Sequence, residues 1–153
     1  MFSIEFFISW ENVKNDKKWV PFDQMVYTDL ISEFGYGKIL IYQNNKCIFL
    51  KKVDLLGFAI NFEENLRLAL KTNDELWITS MYEYYRLSII KKGKICTITT
   101  YNINDTFQLD IDFDSLFKKV KTFKQHLFLE FVDFYPELQL LLNFDEMKSK
   151  FGL

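Results

Sequence analysis

This chain is poor in the residues that most often do chemistry or break structure. Its 153 residues include one histidine, two cysteines, two prolines and five glycines. No glycine-rich phosphate loop and no metal-ligand cluster appears, so neither a cofactor nor a metal is expected. Two cysteines do not make a disulfide framework. Cys47 in Lys46-Cys47-Ile48-Phe49 and Cys96 in Ile95-Cys96-Thr97-Ile98 stand in strand-like contexts, where cysteine behaves as a small hydrophobe. So few prolines and glycines argue against long flexible linkers. No apolar run approaches 18 residues, so no membrane span is expected. The stretch Met1 to Trp10 holds Glu5 and lacks a basic leader and a small-residue cleavage site, so it does not read as a signal peptide. A reduced, cytoplasmic setting is therefore expected. Net charge is −2 and the pI is 5.5. That balance lacks the excess of positive charge that drives non-specific nucleic-acid binding, so no nucleic-acid partner is expected.

What the chain has is aromatic mass: 17 Phe, 8 Tyr and 3 Trp, within a hydrophobic content of 49% and a charged content of 26%. This is a globular composition. A chain of this length buries roughly 70% of its unfolded surface and needs no staple. A single globular domain over residues 1–153 is expected.

The order of elements follows from period and turn chemistry. Phe2 to Trp10 reads as a strand, Glu11 to Lys18 as a polar loop, and Asp23 to Phe34 is ambiguous between helix and strand. Lys38–Gln43 and Lys46–Lys51 flank Asn44-Asn45, a hairpin signal, because asparagine tolerates positive φ. Asn61 to Lys71 reads as a helix capped by Asn61, with Asp54 as an earlier alternative start. A second hairpin pairs Glu83–Lys91 with Lys94–Tyr101, and Thr106 to Asp110 adds a short strand. The period then changes. Leu116, Val120, Phe123, Leu127, Phe131 and Phe134 form one apolar stripe, opposite Lys118, Lys119, Lys121 and Lys124. Asp112 or Asp114 caps this helix, and Pro136 stops it near Tyr135. Glu137 to Lys148 reads as a helix restarting after the proline. The fold class is α+β: an antiparallel sheet built from hairpins, packed by a long C-terminal helix and a shorter middle helix.

The motifs that suggest chemistry fail on inspection. Asp110-Ile111-Asp112-Phe113-Asp114 starts like a calcium loop, but Ser115 stands where glycine is needed and Lys121 where glutamate is needed. Gly35-Tyr36-Gly37-Lys38 runs into a strand, whereas a phosphate loop requires a helix. His126 lacks a marked nucleophile or acid partner and reads as a surface residue. Tyr82, Tyr84 and Arg86 would share one strand face, with Tyr85, Leu87 and Ile89 on the other, core-facing side. Tyrosine and arginine are enriched in binding hot spots. Trp19 is the tryptophan expected at the surface.

The stretches Leu76-Trp77-Ile78, Tyr85-Arg86-Leu87-Ser88-Ile89 and Phe113 to Tyr135, in a compact, mildly acidic, aromatic-rich chain, resemble small bacterial immunity proteins of contact-dependent inhibition systems. The resemblance is one of organisation. It implies a non-catalytic monomer or homodimer that binds and neutralises one cognate toxin protein. On this reading Asp105, Asp110, Asp112 and Asp114 steer a basic partner, and Tyr82, Tyr84 and Arg86 anchor it. Two alternatives remain: a small enzyme whose carboxylates, Glu83 or Asp110 with Asp112, meet only in the fold, and a structural or regulatory adaptor.

Overall fold

A computed structural model describes the chain except residues 33 and 80–83, and gives only the backbone of Tyr84. The chain opens with β1 (Phe2–Ile8) and turns at once into α1 (Trp10–Trp19). A 3-10 turn at Phe22–Gln24 and the single-turn α2 (Tyr27–Leu30) lead to a hairpin of β2 (Tyr36–Gln43) and β3 (Lys46–Asp54). Then come α3 (Leu55–Ala69), the strands β4 (Leu76–Thr79), β5 (Tyr84–Lys92), β6 (Ile95–Tyr101) and β7 (Thr106–Asp112), and the long α4 (Phe113–Phe134). A 3-10 helix at Pro136–Leu140 and α5 (Phe144–Lys150) complete it. The fold is α+β, and its strands form two antiparallel sheets, β1-β2-β3 and β4-β5-β6-β7.

Both hairpins form where turn chemistry placed them. Asn44 and Asn45 take φ of 49° and 67°, the left-handed pair that matches strand twist. Gly93 takes φ +61° in the β5–β6 turn. The two sheets meet at the start of β3, where the buried Thr100 hydroxyl of β6 donates to the Ile48 carbonyl at 3.0 Å.

α3 is the centre of the molecule. Nearly every residue from Leu55 to Phe62 is buried, because it packs against strands of both sheets on one side and α4 on the other. It starts at Asp54. Asn61 is therefore no cap: it lies mid-helix, and its Oδ1 accepts from Thr79 N at 2.6 Å, tying down the end of β4. α4 spans the expected range. Asp112 is its cap and accepts from Ser115 N at 3.0 Å. Tyr135, held before Pro136 at φ −125°, ends it.

Several expectations are corrected. Glu11–Lys18 is the body of α1, not a loop. Val13 is its only buried apolar residue, and the inward face is otherwise polar. Asn12 Nδ2 donates to the Tyr36 carbonyl at 2.9 Å, while Asp16 Oδ2 accepts from the buried Tyr135 hydroxyl at 2.6 Å and from Gly35 N at 3.2 Å. A helix that faces the core with amides and a carboxylate shows no apolar period. Lys124, assigned to the polar face of α4, is buried. It pairs with the buried carboxylate of Glu63 on α3 and donates to the Lys150 carbonyl at 3.0 Å. Cys47 is exposed, unlike Cys96. After Pro136 the chain takes a 3-10 turn before α5, so the stretch from Glu137 is not one continuous helix.

Candidate functional site

β5 presents one face to the core. Tyr85, Leu87 and Ile89 are all fully buried, as their spacing predicts. The opposite face of the four-stranded sheet carries the polar and aromatic residues. Strand register sets them in rows: Trp77, Ser88, Thr99 and Gln108 form one, and Ile90, Thr97 and Asp110 the next. A third row holds Lys92, Ile95 and Asp112.

At one end of this face the Trp77 and Tyr101 rings lie 5.2 Å apart, tilted at 35°. Glu75 fastens the tyrosine. Its Oε2 accepts from the Ser88 hydroxyl at 3.0 Å and from the Tyr101 hydroxyl at 3.2 Å. The Tyr101 ring is thereby tethered beside Trp77 before any partner arrives, which lowers the entropy cost of binding against it.

Arg86 is exposed beside this cluster. Its φ of +54° is left-handed, in the strand that carries the irregular β4–β5 register. Arginine has no special tolerance of that region, so the residue is held there by its surroundings. Tyr82 lies outside the described residues. For Tyr84 only its place in β5, opposite Thr79, is described.

The four acids divide. Asp110 and Asp112 are exposed at the far end of β7, and Asp114 is exposed in the first turn of α4. Asp110 Oδ1 accepts from the Thr97 hydroxyl at 2.6 Å. The backbone bond from Ser115 comes first in holding the Asp112 carboxyl below its ordinary range, with Lys94 adding to it. Asp105 sits at the opposite end of β7, in the β6–β7 turn, where its carbonyl accepts from Asn102 N. The structure thus brings Asp110, Asp112 and Asp114 together, separates Asp105 from them, and sets Arg86 near the Asp105 end. Asp110 and Asp112 stand on an open sheet face and do not share an enclosed pocket. His126 is exposed on α4, edge-on to Phe6.

The feature that sequence reasoning missed is the Trp77–Tyr101 pair with its Glu75 clamp. Trp77 and Tyr101 stand on different strands, and only the antiparallel register sets their rings on one face. Among the described residues no group of three or more potential metal ligands comes together, and no helix is long and apolar enough to cross a membrane.

These features define an α+β protein with an aromatic and acidic sheet face. No protein family, curated protein or solved structure matches the chain.

Proposed function

We propose that this protein is a non-catalytic binding domain that neutralises a partner protein, a cognate bacterial toxin encoded beside it, and that it acts in the cytoplasm without a cofactor. The observation that carries the reading is the outer face of the four-stranded sheet. Tryptophan, tyrosine and arginine are the residues most enriched among binding hot spots, and Trp77, Tyr101 and Arg86 share one end of this face. The acids Asp110, Asp112 and Asp114 at its other end supply a local field that accelerates encounter with a basic partner. The test is to co-express the chain with the product of the adjacent upstream reading frame. A stoichiometric complex, and relief of that product's toxicity, are expected. If no complex forms and toxicity persists, the reading fails.

A further inference from the structure

A second surface lies between β1 and α4, and it abuts the acidic end of that sheet face at Ser115, whose N–H donates to Asp112 Oδ2 at 3.0 Å. β1 is an edge strand: it pairs with β2 on one side, and among the described residues nothing pairs with its other edge. Every second residue of an antiparallel edge strand turns its N–H and C=O outward, and natural proteins rarely leave a long apolar edge bare. Here the edge is seven residues, FSIEFFI. Alongside it runs an open groove of about 960 Å³, lined by Ser3–Ile8 and by one stripe of α4 from Ser115 to Phe134. Phe7 is 58% exposed, and Trp10, just beyond the strand, is 54% exposed.

The direction of the two walls is fixed by ring contacts. Phe6 packs on Phe123 at 5.8 Å and on His126 at 5.6 Å, while Trp10 packs on Phe134 at 6.1 Å. β1 and α4 therefore run the same way along the groove. Its charges are unevenly placed: Glu5 and His126 lie in the middle, with His126 Nε2 3.5 Å from Glu130 Oε1. Lys118 and Lys119 stand at the end where β1 begins, and Glu130 at the end where it finishes. Neither lysine makes an ion pair among the described residues.

We propose that the groove seats a second copy of this chain, joined edge to edge through β1 about a two-fold axis at Phe6. Three requirements meet at that axis. On β1 it opposes Ile4 with Ile8 and Phe6 with Phe6, which are favourable cross-strand pairs, and sets Glu5 against Phe7. An axis at Glu5 would instead oppose two glutamates, which is destabilising. On α4, Phe123 and His126 stand beside Phe6 and also midway between the lysines and Glu130. The same axis therefore lays the two α4 helices antiparallel, with Lys118 and Lys119 of each facing Glu130 of the other. The two three-stranded sheets become one continuous six-stranded sheet, which removes both β1 edges. Such an isologous, closed contact is the commonest form of oligomer.

The test is sedimentation velocity on the intact chain over a concentration series reaching about 1 mM, a concentration at which even a weak association is populated. A concentration-dependent dimer is expected, and its β1 amides should exchange more slowly as the dimer fills. The double variant K118E/K119E and the single variant E130K should each raise the dimer dissociation constant about tenfold or more, as loss of close charge pairs does. The triple variant K118E/K119E/E130K, which restores the lysine–glutamate pairings across the axis with signs reversed, should return to within about threefold of the parent. All these positions lie on the surface, so equal melting temperatures should show that the variants fold. A monomer throughout the series overturns the proposal. So does a dimer indifferent to the charge reversals, or one that the triple variant fails to restore. None of these outcomes depends on a toxin partner, so they leave the proposed function standing or falling by its own test.

Discussion

At the scale of single residues, two buried polar contacts hold elements together. The first is Asp16 with Tyr135. Burial, and then the neighbouring Asp16 carboxylate, push the Tyr135 phenol well above its ordinary range, so it stays protonated and donates. Asp16→Ala strands that hydroxyl and the Gly35 amide. Chemical denaturation should show a loss of about 1.5–3 kcal/mol, the range for hydrogen bonds to a charged group. The second is Glu63 with Lys124, 3% and 6% exposed. Burial alone raises the Glu63 carboxyl, but bonds from Lys124 and Arg67 outweigh it and hold the group below its ordinary value. A carboxyl depressed in the folded state stabilises fully above the unfolded value of about 4.3, and this is lost as pH falls through the lower folded value. Glu63→Gln should cost about 3–5 kcal/mol at neutral pH by leaving an unpaired buried ammonium. The pair E63Q/K124M should recover most of that loss, since apolar replacement of both partners is often neutral. Urea midpoints of the wild type should fall more steeply below pH about 4.3 than those of either variant.

At the scale of elements, the turn at Asn44-Asn45 and the packing of α3 are each decided by backbone geometry. Asn45→Val places a β-branched residue at positive φ and should cost about 1–2 kcal/mol. Asn45→Gly should be neutral or slightly stabilising. Equilibrium urea curves distinguish the two. Gly57 is inside α3, where glycine is otherwise a liability. A methyl there would overlap the Asp54 carboxylate and the Ile31 carbonyl oxygen. The helix approaches the segment after α2 that closely. Gly57→Ala should therefore destabilise by about 1–3 kcal/mol despite its better helix propensity, and a thermal melt showing a gain would overturn this account. The hairpins and α4 were legible because their signals are local: positive-φ residues between β-rich runs, a regular apolar stripe, a cap and a proline. α1 was illegible because its inward contacts are made by Asn12 and Asp16, and a polar inward face imitates a loop.

At the scale of the whole molecule, the outer face of the β4–β7 sheet is where binding and stability come apart. Trp77→Ala should weaken partner binding by about 2 kcal/mol or more if the ring is an anchor. Asp110→Lys with Asp112→Lys should mainly slow association, and the slowing should shrink at high salt. Arg86→Gly relieves a left-handed arginine and should raise stability by about 0.5–1 kcal/mol, yet it should weaken binding. Surface plasmon resonance read beside thermal melts separates these effects, and a variant that loses stability and affinity together would point to unfolding instead. Of the candidate residues, the outward face holding Arg86 was legible from strand alternation, with Tyr85, Leu87 and Ile89 buried behind it. The grouping of Asp110, Asp112 and Asp114 was legible because they are neighbours in sequence. The place of Asp105, a strand's length away, was not.

The sequence by itself determined the α+β class, the two hairpins, the extent of α4 and the core face of β5, and it narrowed the cap of α4 to Asp112 or Asp114. Each depends on contacts a few residues apart, or on a period that the chain repeats whatever it packs against. Only the tertiary structure decided the split into two sheets, the burial of Lys124 against Glu63, the Trp77–Tyr101–Glu75 cluster and the alignment of β1 with α4. Those depend on partners tens of residues away. A lysine on a helix reads as solvated until another helix brings a buried carboxylate to it, and two rings on separate strands become one surface only when the register between them is set.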